Sequence, residues 1–168
     1  PTLSSAASDV YKRQIYFSED LAATRVDLAL VIIDGNTGLW DARMEIMEIN
    51  GLEIRSTIPP SGYLVQGTEE QLNELKNIQS VESIHYVPAG LMVHSSLYDA
   101  PADQSLVVEI TGWKNSDLVR QLEVLDSNLE DVAELWLSNY WSPDSGIFWG
   151  EINTNDISEI IKNPSVSY

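Results

Sequence analysis

The chain has 168 residues, 43% of them hydrophobic and 21% charged, a balance that suits one or two small globular domains and excludes a collagenous or disordered chain. With 26 acidic against 9 basic residues the formal charge is -17, so phosphate backbones are repelled and nucleic acid is not expected as a partner. There is no cysteine, which removes disulfides, thiolate nucleophiles and sulfur-ligated metals, and the longest apolar run, Leu28 to Ile33, falls far short of the roughly 20 residues of a membrane span.

The opening stretch 1–14 has no apolar periodicity and resembles an adapter-derived translation, so it is set aside as a non-native segment outside the fold. Leu28 to Ile33 reads as a strand, and the loop Asp34, Gly35, Asn36, Thr37, Gly38 as a simple turn, because it lacks the lysine of a phosphate cradle. Leu39 to Asn50 follows with helical spacing that puts Ala42, Ile46 and Met47 on one face, and Gly51 is a natural helix stop.

Leu52 to Thr57 and Tyr63 to Gln66 read as a hairpin whose turn holds Pro59 and Pro60. Thr68 and Gln71 have the spacing of a capping box, which opens a short helix carrying Leu72, Leu75 and Ile78, and a last strand begins at Val81. Residues 91–104 read as a linker between two repeats.

Beyond it the order recurs. Ser105 to Ile110 is a strand, Leu118 to Leu125 a helix with Leu118, Leu122 and Leu125 aligned, and the acidic insertion from Asp126 to Asp131 a solvated loop without the spacing of a calcium-binding hand. Ala133 to Asn139 and Ile147 to Glu151 flank a turn with Pro143 and Asp144, Asn153 with Asp156 imitates the capping box, and a short helix leads to a strand at Val166.

The segment from Gly62 aligns without gaps on that from Ile147, at an offset of 85 positions, pairing Tyr63 with Phe148, Leu72 with Ile157, Leu75 with Ile160 and Val81 with Val166. Two copies of one unit, 26–90 and 105–168, are therefore expected. Each has the order βαββαβ, which predicts an α+β fold of two tandem ferredoxin-like units, antiparallel sheets with helices on one face. Units of this size bury little surface alone, so packing of the repeats on each other or on something larger is expected.

The words SGYLVQGTEEQLNELKNIQSVESIHYV, starting at Ser61, resemble the second half of the propeptides of subtilisin-like serine peptidases, and the tandem arrangement is similar to the N-terminal regions of large exported enzymes of that family from marine microbes. The resemblance implies a secreted, extracytoplasmic protein that is not itself an enzyme. It implies intramolecular chaperone and inhibitor action through a sheet face docked on a subtilisin-like catalytic domain in cis. It also implies that a carboxylate in the central hairpin loop caps protease helices, a role open to Asp144; the first copy departs from the pattern, having none between Ile58 and Gly62.

Strand alternation, with Tyr63 and Val65 or Phe148 and Gly150 facing the helices, turns Trp149 and Glu151 outward, and Trp136 with them. Trp136, Trp149 and Glu151, together with Asp144 from the resemblance, are the candidate docking residues; the alternative is that the tryptophans pack against the other repeat, or lie in the core in a register shifted by one residue. No catalytic, cofactor or metal residue is assigned: the two histidines, His85 and His94, lie outside any triad-like context, and Glu69 and Glu70 suit a helix N-terminus. The rival expectation is a regulatory module binding a small molecule, with a structural spacer as a third.

Overall fold

The computed structural model describes residues 23–113, 127, 129, 131, 133–137 and 147–167. They divide into two compact units, one spanning Thr24–Val87 and the other containing the described residues from Pro88 onward. The class is α+β, built on antiparallel sheets.

The first unit runs β1 (Thr24–Ile33), α1 (Leu39–Met47), β2 (Glu53–Ile58), β3 (Gly62–Gln66), α2 (Glu69–Glu74) and β4 (Val81–Pro88), in a four-stranded sheet of order β2-β3-β1-β4. β3 is antiparallel to both β1 and β2. The Asp34 amide, just past β1, donates to the Ser80 carbonyl just before β4 at 2.9 Å, which sets those neighbours antiparallel as well.

Alternate residues Ala29, Val31 and Ile33 of β1 meet Tyr63 and Val65 of β3, and Ala42, Ile46, Leu72 and Leu75 close over them. This is what a period of two on a strand and 3.6 on a helix delivers to a common face. The Tyr63 hydroxyl, carried into that core, donates to the Leu39 carbonyl at 2.7 Å and ties the start of α1 to the sheet.

Local signals act largely as read. The Asn36 amide bonds the Asp34 carboxylate at 2.7 Å in a simple turn; α1, expected to reach Asn50, ends at Met47 with Glu48 as its C-cap, and Gly51, at φ +90, sits in the turn beyond it and not at the helix stop. Thr68 and Gln71 form the reciprocal capping box, and the Gln71 amide also donates to the Asn50 carbonyl at 2.8 Å, linking the two helix ends.

The second unit contains β5 (Ser105–Thr111), β6 (Ala133–Leu137) and β7 (Ile147–Asn153), in the order β5-β7-β6, then α3 (Ile157–Ile160). An antiparallel bridge joins Gly112 to Val166 on the free side of β5. Its core gathers Ile110, Leu129, Phe148, Ile152, Ile157, Ile160, Ile161 and Val166.

Four other expectations change. The stretch read as a linker is structured: 3-10 turns at Ala89–Met92 and Ser95–Leu97 put Val93 into the second core, as they do Ala89, which had been assigned to the end of the first repeat, while the Thr154 hydroxyl donates to the Pro101 carbonyl at 2.7 Å. Sparse apolar residues among Ser, Asp and Pro read as linker, and only tertiary contact buries them.

Ser127 and Leu129, assigned to a solvated loop, are helical, and Leu129 is buried; it continues the spacing of Leu118, Leu122 and Leu125. Met47 is 55% exposed and does not share the buried face of Ala42 and Ile46, since it lies a further 100° round from Ile46. Asn153 accepts from the Asn155 amide at 2.9 Å, capping a 3-10 turn, and Asp156 makes no side-chain cap. Residues 1–14, the helix expected at 118–125 and the turn at 142–146 lie outside the described residues.

Candidate functional site

β7 is the middle strand of the second sheet, so its alternation decides what each face presents. Phe148, Gly150 and Ile152 are buried, Trp149 is half-buried and Glu151 exposed, the facing expected from the pattern. In register Trp149 stands between Trp136 of β6 and Glu109 of β5, and Glu151 between Glu134 and Val107. Trp136 is described in its backbone only, and Asp144 lies outside the described residues.

On β5 the same alternation buries Ile110 and leaves Val107, 57% exposed, and Glu109 on the outer side. The outer face is thus a mixed surface: indole and valine in the middle, carboxylates beside them. Glu151 is held there by the Ser105 hydroxyl, which donates to its carboxylate at 2.7 Å across the strand pair. The Trp113 indole, just beyond β5, donates to the Pro164 carbonyl at 2.8 Å and pins the strand end.

Nothing in this set resembles a nucleophile with its base. His85 contacts the Ser83 hydroxyl at 3.0 Å. His94 accepts from the Ser96 amide at 3.2 Å through Nδ1, which makes it a cap for the turn that follows. Both are exposed two-residue contacts, and no carboxylate orients either ring among the described residues, as an acyl-transfer site requires. Among the described residues no three His, Asp or Glu side chains cluster as metal ligands.

A cavity of about 70 Å³ lies in the second unit, lined mainly by Met92, Val93, Leu97, Ile110, Ile157 and Ile160, with His94 and Glu109 also in its lining. It is largely apolar and far smaller than the roughly 300 Å³ at which small-molecule sites begin.

A polar cluster in the first unit was not anticipated from the sequence. The Arg25 guanidinium, with no exposed side-chain surface, donates to both carboxylate oxygens of Asp27 at 3.1 and 2.8 Å. Gln66 donates to Asp27 at 2.8 Å and accepts from Arg55 at 2.8 Å. Arg55 sits where the β2–β3 register slips between Ile54 and Ser56, a bulge that re-aims its side chain, and it also pairs with Glu53 at 2.6 Å.

Burial pushes the Asp27 carboxyl upward, but the hydrogen bonds from Arg25 and Gln66 and the Arg25 charge outweigh it and hold the group below its ordinary value. Desolvation lowers the Arg55 guanidinium despite the opposing effect of Glu53 and Asp27. The one sequence signal was Arg and Asp two apart on a strand, which puts both on one face.

No family model matches the chain, and a search of curated proteins finds no match. Among solved structures, an aspartate kinase from Clostridium acetobutylicum, described as an important allosteric enzyme for industrial amino acids production, is 15% identical over 83% of this chain, with a TM-score of 0.30. The alignment spans 33% of that enzyme's chain, and a likeness at this level carries no argument about fold or function.

Proposed function

We propose that the chain is a non-catalytic propeptide region of a secreted subtilisin-like serine protease, built from two tandem ferredoxin-like units, whose second sheet docks on the catalytic domain as chaperone and inhibitor. The observation that carries this reading is the outer face of β5 and β7, where half-buried Trp149 and exposed Val107 lie on the side opposite the core. Such a face gains its missing burial only on a partner, which couples the folding of the two.

The repeat reading is supported by strand order. The first sheet runs β2-β3-β1-β4, and the second runs β6-β7-β5 with Val166 bridged beyond β5, so corresponding elements occupy corresponding places.

The test begins with the coding DNA beyond Tyr168. The expected result is a subtilisin-like domain with its aspartate, histidine and serine segments in order; an unrelated domain would overturn the proposal. With that catalytic domain in hand, the purified chain should inhibit it and raise its refolding yield, and Trp149→Ala should weaken inhibition by about tenfold or more, as loss of an interfacial tryptophan does. A chain that neither inhibits nor assists refolding sinks the reading.

A further inference from the structure

α1 is apolar on two sides. Ala42 and Ile46 face the core of the first unit, while Trp40, Met44 and Met47 are 70, 51 and 55% exposed. Their spacing, i, i+4 and i+7, makes one continuous stripe along the helix, pointing away from the sheet that the other face covers.

The residues beside the stripe are charged, and differently on each side. With Trp40 and Met47 at d positions of a heptad and Met44 at a, Arg43 falls at g, and Asp41 and Glu48 at e. Ala42 and Ile46 then occupy f and c, the positions turned from a partner helix, which is where the core of the unit holds them. Among the described residues neither Arg43 nor Glu48 belongs to an ion pair such as Arg25–Asp27 or Arg55–Glu53.

We propose that this stripe is a self-association surface that takes α1 of a second copy of the chain, side by side in parallel about a two-fold axis. In parallel pairing a g residue meets the e′ residue five positions further on, so Arg43 of each copy meets Glu48 of the other, twice by symmetry. Antiparallel pairing sets Arg43 against Arg43 and Asp41 against Glu48, so like charges oppose that alternative. The stripe supplies contact and the flanks supply orientation, independently of any protease docking by the second sheet.

The association is weak by size. Three side chains of this exposure bring on the order of 350 Å² per copy, under half of the roughly 800 Å² per partner of a standard interface. Two chains of charge -17 also repel, which salt at physiological strength screens.

Sedimentation equilibrium on the full chain, from micromolar to millimolar protein in physiological salt, tests this. A monomer–dimer equilibrium with a Kd of about 0.1 mM is expected, lost in Trp40→Glu. Arg43→Glu and Glu48→Arg should each weaken the dimer about fivefold to tenfold, and the double exchange should restore it to within about twofold.

The sequence has no cysteine, so Met47→Cys gives an unambiguous cross-link. Position 47 meets its own copy only in the parallel arrangement, and a disulfide dimer is expected under mild oxidation. All of these side chains are exposed or half-exposed, so the variants keep their fold, which circular dichroism checks. A chain that stays monomeric at millimolar concentration, a dimer indifferent to Trp40→Glu, or a dimer strengthened by Glu48→Arg alone overturns the proposal.

Discussion

Arg25 and Asp27 set the terms at the scale of single residues, because a buried guanidinium needs charged and hydrogen-bonding partners, and Asp27 supplies one of them at 2.8 Å. Asp27→Asn keeps the shape but removes the negative charge that the Arg25 guanidinium and the Gln66 amide bond, and is expected to cost about 1–3 kcal/mol in chemical denaturation. The pH dependence follows from the depressed carboxyl of Asp27: its contribution is complete above the unfolded carboxylate value of about 3.9 and is lost as pH falls through the lower folded value. Acid unfolding of the variant should lack that step; a variant as stable as the parent and with the same acid profile would show that the pair contributes nothing. The capping box was legible in the sequence because it is a local device, and Gly51 was legible as a turn glycine though not as the helix stop. Their coupling was not: the Gln71 side chain also bonds Asn50, 21 residues away, so an added Cβ on Gly51, already at φ +90, would run into the Gln71 amide nitrogen.

Single strands and helices were legible where one face is apolar. β7 alternates cleanly, so Phe148 and Trp149, adjacent in sequence, do different work: the first is fully buried and the second only half. Phe148→Ala should cost about 3–5 kcal/mol by emptying the core, whereas Trp149→Ala should cost under about 1.5 kcal/mol in the free chain. Equal losses in thermal unfolding would mean that both side chains belong to the core and that the outer face is no docking surface. α1 was harder, because apolar residues on two sides leave no unique core face; the spacing that places Met47 beside Trp40 and Met44 fits an outer stripe as well as an inner one. The segment 91–104 misled for a related reason. Met92, Val93 and Leu97 are too few and too unevenly spaced to declare an element, and their burial in the second unit is a property of the folded surface they cover.

Charge belongs to the whole molecule and not to any one contact. Ion pairs at Arg25 and Arg55 draw on only 9 basic residues set against 26 acidic ones, so by composition the carboxylates outnumber the cations and repel one another across the surface. Among the described residues some carboxylates meet neutral donors instead: Glu45 accepts from the buried Ser80 hydroxyl at 2.6 Å, Glu151 from Ser105 and Asp34 from the Asn36 amide. Self-repulsion destabilises a compact state more than an expanded one, while the buried Arg25–Asp27 pair is shielded from salt by its surroundings. Screening should therefore remove the repulsion and spare the pair. Sodium chloride raised from a few millimolar to about 0.15 M, where the screening length shrinks to roughly 8 Å, is expected to lift the Tm by about 3–5 °C, with little further gain above that concentration. An uncharged osmolyte at matched osmolality should not reproduce the low-salt rise. A Tm that falls with salt would mean that surface ion pairs outside the described residues outweigh the net repulsion, and that the acidic composition is organised and not merely solvated.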